Sequence, residues 1–476
     1  MESVAAAVTR LEALAASEPL AALADRFTAA GHELALVGGP VRDAFLGRPV
    51  NDLDLATSAR PDDIIRIVKP IADAHWDIGR AFGTIGARLG EHTVEITTYR
   101  ADAYSPDSRK PEVAFGDSLE GDLVRRDFTI NAMALRLPGR TLVDPSGGLD
   151  DLFARRLMTP GSPDDSFGDD PLRMLRAARF AAQLGVDLDP AVTEAMERMR
   201  DRLSIISAER VRDELVKLLS TADPRRGLAL LVDTGIAGIV LPELPALRLE
   251  VDEHAHHKDV YEHSLTVLEQ AIELEGDRTP EAAPDIVLRL AALLHDIGKP
   301  ATKRVEPGGA VTFHHHDVVG AKLARKRLTA LRFDKETITA VSRLIELHLR
   351  FFGYSDAPWT DSGVRRYVRD ADALLERLHI LTRADVTTRN RRKEARLRGA
   401  YDELEQRIAA LAEQEELQAI RPDLDGEQIM ALLGIRPGPV VGEAYRFLLE
   451  LRLDSGPLGA EEAERRLRAW FAQRSG

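Results

Sequence analysis

The chain of 476 residues contains no cysteine. Disulfide bonds and thiolate metal sites are therefore excluded. No apolar run is long enough to span a membrane, and the N-terminus carries acidic residues where a secretory signal carries basic ones. Aromatic residues are scarce, at 5%, whereas hydrophobic residues make up 44%. These proportions are typical of a globular, largely helical protein of about two to four domains, which we expect in the cytoplasm.

Positive charge is also in deficit. The 78 acidic residues exceed the 64 basic ones and give a net charge of −14. This balance disfavours a general nucleic-acid coat but leaves room for local basic patches. The densest basic run lies at 383–398. A solvated helix face is the ordinary interpretation of such a run, and a grip on an RNA backbone is the alternative.

The stretch at 36–57 concentrates residues that suit phosphate chemistry. Residues 33–37 predict a buried strand, and the pair Gly38 and Gly39 ends it. Glycines let the backbone N–H groups approach a phosphate. Pro40 predicts a helix over 40–46, whose N-terminus favours an anion. Arg42 lies in its first turn, where the guanidinium can clamp phosphate oxygens.

Two carboxylates close the same stretch. Residues 53–56 predict a second strand, on which Asp52 and Asp54 point to one face. Paired carboxylates make a hard oxygen site that suits Mg²⁺. Each piece alone also fits an ordinary turn or a solvated strand end, and only the combination within about twenty residues favours a nucleotide and metal site.

This combination resembles a known motif. Gly38 and Gly39, followed by Arg42-Asp43 and by Asp52-Leu53-Asp54, are similar to the first motif of class II tRNA nucleotidyltransferases. These are the CCA-adding enzymes and bacterial poly(A) polymerases of the DNA polymerase β superfamily. The resemblance implies nucleotide binding by Gly38, Gly39, Arg42 and Asp43. It also implies that Asp52 and Asp54 are catalytic and hold the metal.

A third carboxylate lies in a predicted hairpin whose strands cover 83–89 and 93–99. Glu95 falls in the second strand, where it is either a solvent-facing residue or a further member of the metal site. The resemblance favours the second role, and we count Glu95 as catalytic. The polar segment 101–121 that follows is loop-like, and in the family a mobile loop near this place helps to switch from C to A addition.

A second motif lies at 124–134. Asp127 and Asn131 are four residues apart and would share a face on a helix, although an N-cap role for Asp127 is the alternative. The segment resembles the family's second motif. The resemblance implies that Arg126 contacts the nucleotide, while Asp127 and Asn131 hold the sugar and the site geometry. The turn-rich segment 143–152 resembles the third motif, and we expect a hinge there.

The segment 169–180 opens a helical domain. Asp170 followed by a proline predicts a helix start. Arg173, Arg176 and Arg179 recur every three residues as a basic stripe, and Asp170 with Arg173 offers acceptors and donors that can read a base. A surface salt bridge is the alternative. The segment resembles the fourth motif, except that Asp169 stands where glutamate is usual, which implies that these four residues bind the nucleotide. The capped helix at 207–219 resembles the last motif, which buttresses the base-reading helix.

A second candidate site uses histidine. In the pattern His-Asp-Ile-Gly-Lys, an apolar helix ends at His295-Asp296, and imidazole with carboxylate ligands suits Mn²⁺, Mg²⁺ or Zn²⁺. His263, His295, Asp296 and Asp385 have the order of the HD phosphohydrolase superfamily, which implies a second divalent metal. His316 and His348 are additional candidate ligands. Scattered histidines are usually ordinary surface residues, so an inactive HD domain is the alternative.

We therefore expect an α+β protein. It would comprise a small polymerase-β-like mixed α/β nucleotidyltransferase domain at 1–153, a helical neck that binds nucleotide and RNA at 154–245, an HD domain at 250–390 and a helical tail at 391–476. The resemblance implies template-independent, Mg²⁺-dependent addition of CCA to tRNA 3′ ends from CTP and ATP, with release of pyrophosphate.

Three alternatives stay open. The first is a poly(A) polymerase or a partial enzyme that adds only A or only CC, although the run at 79–84 lacks the second basic residue typical of poly(A) enzymes. The second is an HD phosphohydrolase as the main activity. The third is a non-catalytic RNA-binding protein.

Overall fold

A computed structural model describes the chain apart from residues 1–3, 51, 78, 101–114, 249–258, 279, 281, 283, 308, 310, 357–358, 387–390, 416–420 and 476. The chain divides into two compact units, Met1–Pro242 and Glu243–Gly476. The finer boundaries predicted within each unit stay predictions. Within the described part of the chain, no helix combines the length and the apolar character needed to cross a membrane.

The first unit is built on a mixed sheet, as predicted. The described strands run in the order β3-β4-β5-β2-β1-β6-β7. Neighbours pair antiparallel except for β2 and β5, which are parallel. Their bounds are β1 Leu34–Val37, β2 Asp52–Thr57, β3 Ala74–Trp76, β4 Thr84–Leu89, β5 His92–Thr98, β6 Ala134–Leu137 and β7 Thr141–Val143. A two-stranded parallel sheet follows, formed by β8 Arg156–Leu157 and β9 Asp187–Leu188.

Helices surround the sheet and then form the rest of the first unit. Their bounds are α1 Val4–Ala16, α2 Leu20–Ala29, α3 Gly39–Phe45, α4 Pro61–Val68, α5 Leu119–Val124, α6 Gly148–Phe153, α7 Pro163–Asp169, α8 Arg173–Leu184, α9 Pro190–Met199, α10 Ala208–Leu219, α11 Pro224–Asp233 and α12 Ala237–Val240. Short 3₁₀ turns occur at Arg80–Phe82, Thr129–Asn131 and Arg200–Ile205. The helical second half of the unit was predicted from the capped, amphipathic segments there.

The two faces of the sheet have different surroundings. Alternate side chains of β5, such as Val94 and Ile96, are buried on one face. On the opposite face, Leu119 and Leu123 of α5 pack against residues of β1, β2 and β6. In the described part of the chain, Glu95 of β5 and Arg88 of β4 are exposed on this same face. This exposed part of the face leaves room for a substrate beside the predicted carboxylates.

Three predictions about local structure need correction. The apolar spacing over 61–76 predicts one helix, but α4 ends at Val68 before Pro70, which does not favour a continuing helix, and Ala74–Trp76 form strand β3. The sequence of residues 1–30 likewise predicts one helix, which breaks at Pro19 into α1 and α2. Residues Thr129–Asn131 form a 3₁₀ turn and not an α-helix. Of the predicted loop at 101–121, residues 101–114 lie outside the described residues, and Leu119 already begins α5.

The second unit is helical apart from the short hairpin of β10 Arg304–Val305 and β11 Val311–Thr312. Its described helices are α13 Val260–Arg278, α14 Ile286–Leu294, α15 Lys299–Thr302, α16 His316–Ala330, α17 Lys335–Leu347, α18 Arg350–Asp356, α19 Asp361–Ala371, α20 Leu375–Asp385, α21 Arg391–Glu415, α22 Gly426–Leu433, α23 Pro439–Ser455 and α24 Ala460–Ser475. The last three helices share an apolar core that includes Ile429, Leu448 and Leu467. Pro439 begins α23, where its missing N–H costs no helical hydrogen bond.

Candidate active site and metal centre

The first predicted motif forms a strand–turn–helix unit. Gly38 ends β1 with φ +71, a conformation that L side chains rarely adopt. A Cβ on Gly38 would also lie 3.0 Å from Nη1 of Arg126. Gly39 and Pro40 begin α3, so the free backbone N–H groups of that helix start at the turn. The turn is therefore shaped for the close approach of an anionic group.

The side chain of Arg42 is held by protein groups. It is 5% exposed, and its Nε and Nη2 donate to the two carboxylate oxygens of Asp43 at 3.0 and 2.9 Å. Its Nη1 donates to Oδ1 of Asn131 at 2.6 Å. The bidentate face predicted for a phosphate is thus occupied by Asp43, and a phosphate reaches Arg42 only by replacing that carboxylate.

The three predicted acidic residues lie on one face of the sheet. Asp54 pairs directly with Glu95 across β2 and β5, and Asp52 lies two residues before Asp54 on β2. Burial, together with the charges of Glu95 and Asp52, raises the pKa of Asp54, while Arg126 and Arg42 oppose the rise. A divalent cation fits this site because it would relieve the repulsion among three carboxylates.

The carboxylates of this row are spaced for a substrate as well as for a metal. Among the described residues, the groups of three or more possible ligands with atoms within 4.8 Å of one another lie in the second unit. Asp52, Asp54 and Glu95 are not such a group. A cation held between them would keep coordination positions for ligands that the protein does not supply.

The second motif forms a buried network with helix α8. Asn131 Nδ2 donates to Oδ1 of Asp127 at 3.0 Å, so the two residues meet as predicted, although through a 3₁₀ turn. Arg176 Nε donates to Oδ2 of Asp127 at 2.8 Å. Burial raises the pKa of Asp127, but the charge of Arg176 and the bond from Asn131 outweigh burial and hold that pKa below its usual value. Asp127 is therefore a fixed anion that orients Asn131, which in turn holds Arg42.

The predicted base readers are engaged by protein groups. Asp170 accepts from the backbone N–H of Leu172 and forms an ion pair of 2.7 Å with Arg210 of α10. Arg173, 9% exposed, donates to Ser166 Oγ at 2.9 Å and to the carbonyl of Arg125 at 2.7 Å. The prediction that Asp170 and Arg173 read a base stays a prediction, because both side chains are bound by protein groups in this structure. Reading a base would require an exchange of the Arg210 contact.

The predicted basic stripe faces inward. Arg179 donates to Glu214 of α10 at 2.7 Å and to Gln183 at 2.8 Å. Its guanidinium lies over the Phe180 ring at 4.1 Å, and that of Arg42 lies at 5.4 Å from the same ring. The Phe180 ring contacts guanidinium groups from both α3 and α8. It therefore couples the turn at Gly38 to the helical half of the unit.

One anchoring residue was missed from the sequence. Asp122 of α5, 1% exposed, accepts from Arg125 at 3.0 Å, from Arg126 at 3.2 Å and from the backbone N–H of Arg100 at 3.1 Å. It therefore fixes Arg126 between Gly38 and the carboxylates. The spacing of Asp122 four residues before Arg126 was the available signal.

The second unit brings the predicted histidine and aspartate residues together. His263 Nε2 lies 3.0 Å from Oδ1 of Asp385 and 3.3 Å from Nε2 of His295. These three residues form one group of possible ligands within 4.8 Å, and the other group consists of Asp296, His316 and His348. The last two residues were additional candidates from the sequence, and they lie in the same cluster.

The ring nitrogens of this cluster are oriented for metal binding. The Nδ1 atoms of His295, His316 and His348 each lie within 2.6–2.8 Å of a backbone carbonyl three residues earlier. A proton on Nδ1 satisfies that carbonyl and leaves Nε2 as a lone pair. The Nε2 atoms of His316 and His348 are buried without a hydrogen-bond partner. Unpaired Nε2 lone pairs beside buried carboxylates suit the binding of one or two divalent ions.

The charges in the cluster agree with this fit. Burial lowers the pKa of His348 to about 4, so this imidazole is neutral near pH 7 and can offer Nε2 to a metal. Burial also lowers the pKa of His295, but Asp296 and Asp385 outweigh it and raise that pKa to about 10. Buried carboxylates thus draw positive charge into the cluster, and bound cations would supply it.

Comparisons with known proteins identify the domains that carry the two candidate sites. Family models match a poly A polymerase head domain over 34–158, a probable RNA and SrmB- binding site of polymerase A over 185–247, and an HD domain over 260–390. The crystal structure of the Bacillus stearothermophilus CCA-adding enzyme in complex with CTP matches with a TM-score of 0.67 over 95% of this chain and 97% of that one, at 24% identity. This likeness confirms the predicted fold class.

Two relatives match over almost their whole length. The chain is 37% identical over 450 residues to the A-adding tRNA nucleotidyltransferase of Deinococcus radiodurans, which covers 93% of this chain and 96% of the relative. It is 33% identical over 437 residues to the CC-adding tRNA nucleotidyltransferase of Thermus thermophilus, covering 90% of this chain and 91% of that one. The chain therefore belongs to the tRNA nucleotidyltransferase family and carries an HD domain in its second unit.

Proposed function

We propose that the first unit adds the nucleotides C, C and A to the 3′ end of tRNA, using CTP and ATP and releasing pyrophosphate. The observation that carries this proposal is the set of three carboxylates, Asp52, Asp54 and Glu95, beside the anion-binding turn at Gly38. Full-length relatives named as tRNA nucleotidyltransferases support RNA as the acceptor. Because tRNA is the proposed substrate, we also propose that the protein acts in the cytoplasm.

The residues of the first unit have separate roles in the proposed reaction. Mg²⁺, which Asp52 and Asp54 would hold with Glu95, supplies charge neutralisation at the reacting phosphate. The backbone N–H groups at Gly39 and the start of α3 bind the triphosphate, and the leaving pyrophosphate replaces the Asp43 carboxylate on Arg42. Asp127 and Asn131 hold Arg42 in place. The remaining work is positioning of the RNA hydroxyl in line with the α-phosphate.

Base selection is proposed for Asp170 and Arg173 on the surface shared by α8 and α10. Arg173 is fixed by Ser166 and by the backbone of Arg125, so its position is set before the nucleotide binds. Asp170 becomes available when Arg210 leaves it. Arg126, between Gly38 and Asp54, contacts the nucleotide, and Arg176 and Arg179 of α8 complete the proposed nucleotide-binding set.

A partial enzyme is the second candidate. The two full-length relatives are named A-adding and CC-adding. These two names favour neither partial activity over the other, because both relatives match this chain over a similar length. A poly(A) polymerase and a non-catalytic RNA-binding protein are the remaining alternatives to this first activity.

The HD domain is proposed as a separate divalent-metal site with phosphohydrolase chemistry. His263, His295, Asp296 and Asp385 would hold Mn²⁺, Mg²⁺ or Zn²⁺, and His316 with His348 would complete a second position. The orphaned Nε2 atoms support this proposal. Incubation with a generic phosphodiester and each metal tests it, and hydrolysis that survives replacement of His295 would contradict it.

The experiment that tests the first activity is extension of three tRNAs, ending before, within and after CCA, with CTP and ATP separately and together. Full CCA addition predicts two C residues with CTP alone, and a final A only on RNA that already ends in CC. Long A tails indicate a poly(A) polymerase, and extension of only one end indicates a partial enzyme. RNA binding without extension indicates the non-catalytic alternative.

A further inference from the structure

A tryptophan lies in one cross-strand row with the proposed catalytic carboxylates. Trp76 of β3 pairs with Gly86 of β4, Gly86 pairs with Glu95 of β5, and Glu95 pairs with Asp54 of β2. Residues that pair directly across neighbouring strands point to the same face of a sheet. Trp76 and the two carboxylates therefore share one face, the face on which Glu95 is exposed.

The indole ring lies directly over Gly86. A Cβ on this glycine would be 2.1 Å from Nε1 and 2.2 Å from Cε2 of Trp76. Glycine is therefore required at 86 for the ring to rest on the sheet. Because neighbouring strands are about 4.8 Å apart, the ring is one strand away from Glu95.

The Trp76 ring is not fully buried in the core. Trp76 is only half-buried, and in the described part of the chain its indole N–H makes no hydrogen bond and its ring contacts no other aromatic ring. A half-exposed indole beside charged groups has an apolar face that a planar ligand can cover. The ring thus rests on a bare glycine and is not fully buried, which leaves part of its surface for a ligand.

The position of the ring identifies what it faces. In the sheet order, β1 and the turn at Gly38 lie on one side of Asp54, while β5, β4 and β3 lie on the other. In phosphoryl transfer the attacking and leaving oxygens are roughly in line on opposite sides of the phosphorus. If pyrophosphate leaves towards α3, the attacking hydroxyl arrives from the side of Glu95 and Trp76. This step rests on the proposed function.

We propose that Trp76 is a positioning residue that stacks on the terminal base of the RNA and so holds the 3′ hydroxyl beside Glu95. Stacking tolerates every base, because every base has a π face. Such tolerance suits an RNA end whose last base changes after each addition, whereas a hydrogen-bonding pocket would reject some of those ends. Trp76 thus contributes RNA binding, and nucleotide choice is made elsewhere.

A positively charged side chain lies in the neighbouring cross-strand row on the same face. Arg88 of β4 pairs with Thr93 of β5, which pairs with Asp52 of β2. Arg88 is exposed, and its side chain makes no ion pair with the described residues. It is placed to hold a phosphate of the strand whose terminal base lies on Trp76.

The test compares an RNA that ends in an intact nucleotide with the same RNA whose last nucleotide lacks its base. The native chain should extend the abasic end with a KM for RNA about 10-fold or more above that for the intact end. In Trp76→Ala this difference should vanish, while the KM for CTP stays unchanged. Trp76→Phe should restore much of it, because a smaller aromatic ring still stacks.

Two further variants separate stacking from folding. His75→Ala is the matched control, because His75 is exposed on the same strand and points to the opposite face; it should behave as the native chain. Gly86→Ala forces the indole off the sheet and should reproduce Trp76→Ala. Base discrimination that persists in Trp76→Ala overturns the inference. If the native chain extends no RNA, the proposed function fails, and equilibrium binding of the two RNAs still decides whether Trp76 reads the terminal base.

Discussion

Arg176 Nη2 lies 2.6 Å from Oδ2 of Asp127, and this ion pair joins helix α8 to the turn that carries Asn131. Asn131 in turn accepts from Arg42. The chain of contacts therefore runs from the helical half of the first unit to the phosphate-binding turn. A change at Arg176 should be felt at the triphosphate, although the arginine lies on another element.

Replacing Arg176 by alanine should lower kcat/KM for CTP by about 10- to 100-fold, because buried Asp127 loses its main cation and no longer orients Asn131. Steady-state extension kinetics with a fixed RNA measure this effect. Arg198→Ala, which breaks the exposed pair with Asp164, is the matched control and should change little. An unchanged kcat/KM in Arg176→Ala would show that the Asp127 network is purely structural.

Base choice should depend on the contact between Asp170 and Arg210. Arg210→Ala removes the protein partner of the Asp170 carboxylate, and Asp170→Ala removes the acceptor itself. We expect each variant to change the ratio of kcat/KM for CTP and ATP by about 10-fold, because a hydrogen-bonding site discriminates through its paired polar groups. The ratio is measured by competition on tRNA that ends before CCA. Arg212→Ala on the same helix is the control, and a ratio unaltered in Asp170→Ala would place base selection elsewhere.

The HD cluster should bind metal independently of nucleotide addition. His348→Ala removes one buried lone pair and should lower the affinity for Mn²⁺ by about 10-fold or more, as measured by calorimetry on metal-free protein. His314→Ala, an exposed neighbour of His316, should bind as the native chain does. CCA addition should stay intact in His348→Ala. A loss of addition together with metal would mean that the HD site takes part in the transfer reaction.

Stability at low pH should depend on Glu405. Its carboxylate accepts from Arg278 at 2.8 Å and from Arg383 at 2.9 Å. Burial raises the pKa of Glu405, but these bonds outweigh burial and lower it to about 2. A depressed pKa in the folded state means that the stabilisation is complete above the ordinary pKa of about 4.5 and is lost as pH falls towards 2.

Glu405→Gln should therefore lower the Tm by about 3–6 °C at pH 7, with a difference that narrows between pH 4.5 and pH 3. Thermal unfolding at the three pH values measures the difference. Glu403→Gln, an exposed change on the same helix, should have no effect at any of them. A difference that is constant across this range would assign the loss to packing and not to charge.

The first motif was predictable because its signals are local. Two glycines end an apolar strand, a proline begins a helix, and alternate aspartates on the next strand must share a face. The HD cluster was predictable for a related reason, since an apolar helix that ends in His295-Asp296 presents both side chains at one point. In both places short-range geometry decides where the chemistry lies.

Contacts between distant segments were not predictable in the same way. Nothing near Arg173 in sequence indicates that its guanidinium binds the carbonyl of Arg125, because that contact depends on how the helical half of the unit packs on the sheet. The position of Trp76 was not predictable for a different reason. The apolar spacing of α4 continues past Pro70 and favours a helix as far as Trp76, whereas strand pairing with β4 brings Trp76 to the face of Glu95.

Nucleotide transfer at the carboxylates of the first unit is the core of the proposed function. Single-turnover incorporation of CMP into tRNA that lacks CCA, with Mg²⁺ present, tests it most directly in the native chain and in Asp54→Asn. Asn keeps the size of the side chain and removes the charge that would hold the cation. Asp54→Asn should bind tRNA normally and lose at least about 1,000-fold in rate. A rate within about threefold of the native chain would contradict this prediction.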